Sequence, residues 1–323
     1  VLAHRPREKA IPVQSEGRVL NRIVRWTPDG WEVEPDQRHV NVIVQEIGMK
    51  EAKPVSTPGD NKSKDAEGSG DALDERQASK FTSMAARANY LAADRMDMMY
   101  ATKEISRGMA NPEEKEMVKM KRLARYLKGT GRLVTKYAWQ GAESQILAYS
   151  DSDWAGCRQT GKSTSGGVIM IGDHFIKGWS RTQNHVTTSS AEAELIVLVK
   201  CSSESLGIRS TAQDWGHQLG VTVYADSSAA LAIAKRRGAG KLRRMNVSAL
   251  WNQDIQDREG AQYMNILSTK RPADLMTKYL VHDKMDACMQ IDHRARGKTR
   301  SSQMRSRNPG SIILRYDSVE NKY

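Results

Sequence analysis

Ile146-Leu-Ala-Tyr-Ser-Asp151 is a short apolar run that stops at an acid, and it reads as a strand with a carboxylate at its end. Downstream of it, residues 165–171 and 175–180 read as an antiparallel pair around Gly172-Asp173, and residues 190–206 as a helix. Val221-Thr-Val-Tyr-Ala-Asp226 repeats the pattern of a strand closed by an acid, and residues 227–236 form the next helix. A helix at about 246–257, a strand at 262–267 and a helix at 272–280 complete the block. The order β-β-β-α-β-α-α-β-α is that of a mixed α/β domain.

Upstream of this block the character differs. Residues 19–26 read as a strand, Thr27-Pro-Asp-Gly30 as a turn and residues 31–34 as the returning strand. A helix is expected over 36–47, with Val40, Ile43, Val44 and Ile47 on one face and Gly48 as its stop. Residues 53–71 are a polar loop without periodicity. Helical stretches follow at 74–94, 96–109 and 112–127, the last stopped by Gly129.

Composition narrows the class. Over 323 residues, 39% are hydrophobic and 27% charged, which is globular, and no apolar run approaches the roughly 18 residues of a membrane span. The N-terminal stretch lacks the apolar core of a signal peptide. Cys157, Cys201 and Cys288 are scattered without metal-ligand spacing, so an intracellular, reducing setting is expected, with neither disulfide framework nor zinc. The net charge of +12 points to an anionic partner, of which nucleic acid is the commonest. Residues 292–323 hold eight basic and three acidic groups and therefore account for only +5 of that excess.

Two motifs compete for the chemistry. Gly156-Cys-Arg-Gln-Thr-Gly-Lys-Ser163 fits the phosphate-loop pattern, which needs a helix opening at its Lys-Ser. The continuation, Thr-Ser-Gly-Gly-Val-Ile-Met-Ile, is a poor helix, so a nucleotide hydrolase built on this loop is disfavoured. The carboxylates carry more. Asp151 and Asp226 end strands, Glu194 lies one turn into a helix, and Asp274 falls in the first turn of another. Four acids so placed can converge on one sheet edge and hold two divalent cations, and oxygen-only ligands suit Mg²⁺. Each also has an ordinary reading: Asp226 as a helix N-cap, Asp274 as an acid at a positive helix start. Glu192, which with Ser189 fits a capping box, and Asp153, which finishes a loop, are expected outside the cluster.

Five motifs in order, Tyr149-Ser-Asp-Ser-Asp-Trp-Ala-Gly156, Lys162-Ser-Thr-Ser-Gly-Gly167, Ser189-Ser-Ala-Glu-Ala-Glu-Leu195, Tyr224-Ala-Asp-Ser-Ser-Ala-Ala-Leu231 and Pro272-Ala-Asp-Leu-Met-Thr-Lys278, resemble the ribonuclease H domain of copia-type retrotransposon Pol polyproteins. Lys53-Pro-Val-Ser-Thr-Pro58, Tyr90-Leu-Ala-Ala-Asp-Arg-Met-Asp97 and Arg122-Leu-Ala-Arg-Tyr-Leu-Lys-Gly129 are similar to the end of the reverse transcriptase in the same polyproteins, so the resemblance covers about residues 19–283. It implies a ribonuclease H-like mixed β-sheet flanked by helices over 141–283. A mainly helical thumb- or connection-like reverse transcriptase segment would occupy 1–140, and a basic, disordered tail 284–323.

Asp151, Glu194, Asp226 and Asp274 fall on the family's catalytic, metal-binding quartet. The implied activity is hydrolysis of the RNA strand of an RNA–DNA hybrid with two Mg²⁺ ions, Mn²⁺ being a substitute. Implied partners are the hybrid and other parts of the same polyprotein, with no membrane. The chain has no Asp-Asp dipeptide, so polymerisation is not expected of it alone, the palm and fingers lying before residue 1. Two positions depart from the family: Arg243-Arg244 stands where a Lys-His pair is usual, and Met96 where a proline is. The alternative reading is a catalytically inactive relic that retains nucleic-acid binding.

Overall fold

The computed structural model describes residues 15–61, 70–238, 247–266, 271–289 and 313–315. Arg243-Arg244 and most of the basic tail lie outside these.

The opening segment begins as an antiparallel meander: β1 (Glu16–Val19), β2 (Arg22–Thr27) and β3 (Gly30–Glu34). The single strand expected over 19–26 is instead the corner of a hairpin. Leu20 and Asn21 both take positive φ, 49° and 64°, as the two-residue turn that matches strand twist requires. Next comes α1 (Gln37–Glu46), capped by the Asp36 side chain and ended by Gly48 at φ 73°.

Three further helices follow. Helix α2 (Glu75–Ala92) is capped by Asp74, a 3₁₀ turn (Met96–Met98) leads into α3 (Met99–Ser106), and α4 (Glu114–Gly129) opens with a Glu113/Glu116 capping box. The sequence reading of this segment contained no strand after α4. In fact β4 (Leu133–Ala138) pairs with β3 and, on its other side, with β10 (Ile313–Arg315), giving the order β1-β2-β3-β4-β10. Within the basic tail, residues 313–315 pair by their backbone with β4.

The second sheet contains β5 (Gln145–Asp153), β6 (Thr164–Ile171), β7 (His174–Thr182), β8 (Gly220–Ala225) and β9 (Gln262–Asn265). Its strands lie in the order β7-β6-β5-β8-β9. Strand β6 is antiparallel to both β5 and β7, while β5, β8 and β9 are mutually parallel. This mixed topology is the ribonuclease H-like sheet. Helices α5 (Ser190–Asp214), α6 (Ser228–Lys235) and α7 (Val247–Glu259) join its strands. A 3₁₀ turn (Pro272–Met276), where a longer helix to residue 280 was expected, and α8 (His282–Met289) close the order before β10.

Strand β5 is buried on both faces, and its alternation feeds two cores. Ile146 and Ala148 join Val221, Val223, Leu195, Leu198 and Leu231 beneath α5 and α6. Leu147 and Tyr149 join Val168 and Met170, and that cluster runs on through Met276 and Met285 to Phe81, Met84, Leu91, Leu123 and Leu127 of α2 and α4. The helices before residue 140 therefore cover one face of the second sheet. Each fully buried aliphatic or aromatic side chain there contributes about 1.5–3 kcal/mol relative to exposure.

Candidate metal centre

Parallel pairing sets the site. Tyr149 of β5 lies opposite Tyr224 of β8, and the two rings stack 5.2 Å apart. Both strands then emerge at the same edge of the sheet, where Asp151 and Asp226 follow within two residues. Helix α5 starts beside that edge with Ser189 as its cap, its hydroxyl accepting from the Glu192 amide at 3.2 Å. One turn on, Glu194 points back at the strand.

One carboxylate oxygen each from Asp151, Glu194 and Asp226 lies within 4.8 Å of the other two. Asp151 is buried, Glu194 is 7% exposed and Asp226 is half-buried. Glu194 Oε1 accepts from the Ser152 amide at 3.1 Å and from the Ser152 hydroxyl at 2.8 Å. Its other oxygen, Oε2, is buried with no hydrogen-bond partner. Such an orphaned oxygen among hard, oxygen-only donors is what a divalent cation such as Mg²⁺ takes, so these residues fit the ion.

Asp274 is not part of the three-acid group. It sits in the 3₁₀ turn and is linked to the group through two cations. Arg271 Nη1 lies 3.1 Å from Asp151 Oδ1 and hydrogen-bonds Asp226, while Arg271 Nε lies 3.7 Å from Asp274 Oδ1. Lys278 Nζ lies 3.2 Å from Asp274 Oδ1 and 3.6 Å from Asp151 Oδ2. The Thr277 hydroxyl donates to Asp151 Oδ2.

Close approach of the 3₁₀ turn depends on the glycine pair in β6. Gly166 lies opposite Asp151, and a Cβ on it would fall 2.6 Å from both Met276 Cβ and Thr277 Cγ2. A Cβ on Gly167 would enter the Trp179 ring. The Ser-Gly-Gly motif is thus a packing requirement of the site.

Burial, then the charge of Asp151, pushes the Glu194 carboxyl up to about 8. Asp151 is also raised, by burial first, with Lys278, Thr277 and Arg271 pulling against it.

The ordinary readings separate here. Asp226 is not a helix cap: the Ser227 hydroxyl accepts from the Ala230 amide at 3.2 Å and does that work. Glu192 is structural, but it reaches the Thr188 amide at 2.7 Å and not the cap residue. Neither Glu192 nor Asp153 belongs to the three-acid group. The phosphate-loop match continues into β6, and its Cys157 and Gly161 amides bond within the loop, to Lys162 O and Cys157 O. No helix start cradles a phosphate there. Ser152, Arg271, Thr277 and Lys278 had no assigned role in the sequence reading. The spacing of Arg271 and Lys278, three before and four after Asp274, was the available signal.

No protein-family model matches the chain. It is 26% identical over 262 residues to the retrovirus-related Pol polyprotein from transposon TNT 1-94 of Nicotiana tabacum, covering 79% of this chain and 20% of that protein. It is 33% identical over 186 residues to the retrovirus-related Pol polyprotein from transposon RE1 of Arabidopsis thaliana, covering 57% of this chain and 12% of the relative. The chain thus spans a fifth or less of the length of these relatives. Among solved structures, LC11-RNase H1, isolated from compost by a metagenomic approach, is 18% identical with a TM-score of 0.34, covering 42% of this chain and 93% of that one. That likeness carries no weight beside the strand order itself. The chain is a distant homologue of the Pol polyproteins of copia-type retrotransposons.

Proposed function

We propose that the chain hydrolyses the RNA strand of RNA–DNA hybrids at the sheet edge formed by Asp151, Glu194 and Asp226. One observation carries the reading: three carboxylates meet within 4.8 Å, and one of them keeps a buried oxygen without a partner. Asp151, Glu194 and Asp226 would hold the cation, and Asp274, across Arg271 and Lys278, completes the proposed quartet at the rim. Bound Mg²⁺ ions would supply polarisation of the scissile phosphate, activation of the attacking water and stabilisation of the leaving oxygen.

The chain's own residues do the rest. Ser152 fixes the Glu194 carboxylate through two hydrogen bonds to Oε1 and leaves Oε2 without a partner. Thr277 and Lys278 hold Asp151 Oδ2 from the side of the 3₁₀ turn. The excess of basic residues supports phosphate binding, which makes affinity salt-dependent. Contacts to the 2′-hydroxyl would separate RNA from DNA.

The test is cleavage of a labelled RNA–DNA hybrid with and without Mg²⁺, with duplex DNA as control. Mg²⁺-dependent loss of the RNA strand alone supports the proposal, and binding without cleavage selects the second reading, an inactive relic. That second reading is favoured by a single feature, the Arg271 guanidinium set against Asp151 and Asp226.

A further inference from the structure

We propose that Arg271 is a built-in counter-ion of the acidic cluster, and that a divalent cation binds there only by displacing its guanidinium. The inference rests on the metal-binding role proposed above for Asp151 and Asp226. Arg271 bridges those two acids through one nitrogen, Nη1, and its Nε faces Asp274. Its side chain is only 12% exposed, so this is an enclosed contact and not a passing surface pair.

Like charges gathered out of water repel, and a neighbouring cation relieves them. The planar, permanently charged guanidinium suits carboxylates and cannot shed its proton to leave. It engages one oxygen on each of two of the three acids that would ligate the ion. Lys278 is the less enclosed cation of the pair, 42% exposed, and lies nearer the rim. Displacement of Arg271 by metal is therefore an exchange of one positive charge for two. The apparent metal affinity equals the intrinsic one reduced by the fraction of molecules with the guanidinium swung out. Arg271 consequently sets the divalent-ion concentration at which the site fills.

The experiment is equilibrium Mn²⁺ binding, read by the electron paramagnetic resonance signal of free Mn²⁺, on the full chain and on Arg271→Gln, Arg271→Lys and Asp226→Asn. Arg271→Gln is expected to bind Mn²⁺ at least about tenfold more tightly than the parent. Arg271→Lys, which keeps the charge but is too short to bridge both acids, should fall between them. Equal or weaker Mn²⁺ binding by Arg271→Gln, with Asp226→Asn still abolishing it, overturns the counter-ion role and leaves the metal site standing. Absence of saturable binding in the parent and in Arg271→Gln alike overturns both. Circular dichroism reports folding. Should Arg271→Gln be unfolded without metal, its refolding by Mn²⁺ below the parent's half-saturation supports the proposal, and failure to refold at any Mn²⁺ concentration overturns it.

Discussion

Glu194 gives the site a measurable signature in the metal-free protein. Its carboxyl is pushed up to about 8 from an ordinary 4.5. Between those values the folded chain keeps a proton that the unfolded chain has released. The stability tied to that proton is fully present below about 4.5 and is lost as pH rises towards 8. Asp151, also raised, acts in the same direction. In the presence of a chelator, the urea midpoint of the parent should fall between pH 5 and pH 8, and Glu194→Gln should flatten that fall. A midpoint that declines equally in both proteins would remove Glu194 as its source. Three of the site's acids were legible in the sequence because strand ends and a first helical turn are places where side chains meet at an edge. The bridging by Arg271 was not legible, since it depends on a 3₁₀ turn arriving 120 residues after Asp151.

At the scale of elements, two motifs in the sequence turn out to be structural. Arg95 and Asp97 form a buried pair, with Arg95 Nη2 2.8 Å from Asp97 Oδ2, and the Tyr126 hydroxyl donates to the same oxygen at 2.6 Å. Arg95 Nη1 also donates to Thr130 O at 3.0 Å, tying the turn before α3 to the end of α4. Removing one partner of such a pair strands a buried charge. Asp97→Ala should cost about 3–5 kcal/mol in denaturant unfolding. A loss below about 1 kcal/mol would mean that the network is not a principal tie between these elements.

The glycine pair of β6 makes a second prediction. Gly166→Ala should force the 3₁₀ turn away from Asp151, at about 1–3 kcal/mol of overpacking in denaturant unfolding. An unchanged unfolding midpoint would show that the close approach is not needed. Strand β4 escaped the sequence reading for a physical reason. Leu133, Val134 and Thr135 are buried in succession and the next three residues are half-buried, so the alternation that marks a one-sided strand is missing.

Across the whole molecule, one apolar cluster joins the helices before residue 140 to the face of the ribonuclease H-like sheet, so the sheet edge that carries the acids is supported from both sides. Charge is distributed as broadly. Deleting residues 292–323 removes +5 of the net +12. It should lower hybrid affinity mainly at low salt, making the dependence of log affinity on log salt shallower by about 1 or more. A loss of equal size at every salt concentration would point to a positional role for the tail. The central claim is that the three clustered acids bind metal for hydrolysis, and single-turnover cleavage of an RNA–DNA hybrid by Asp226→Asn beside the parent tests it most directly. Ser227 already caps α6, so the substitution leaves the helix start intact. The account predicts an unchanged fold, retained hybrid binding and an Mg²⁺-dependent cleavage rate lower by about 100-fold or more; cleavage at the parental rate by Asp226→Asn would contradict it.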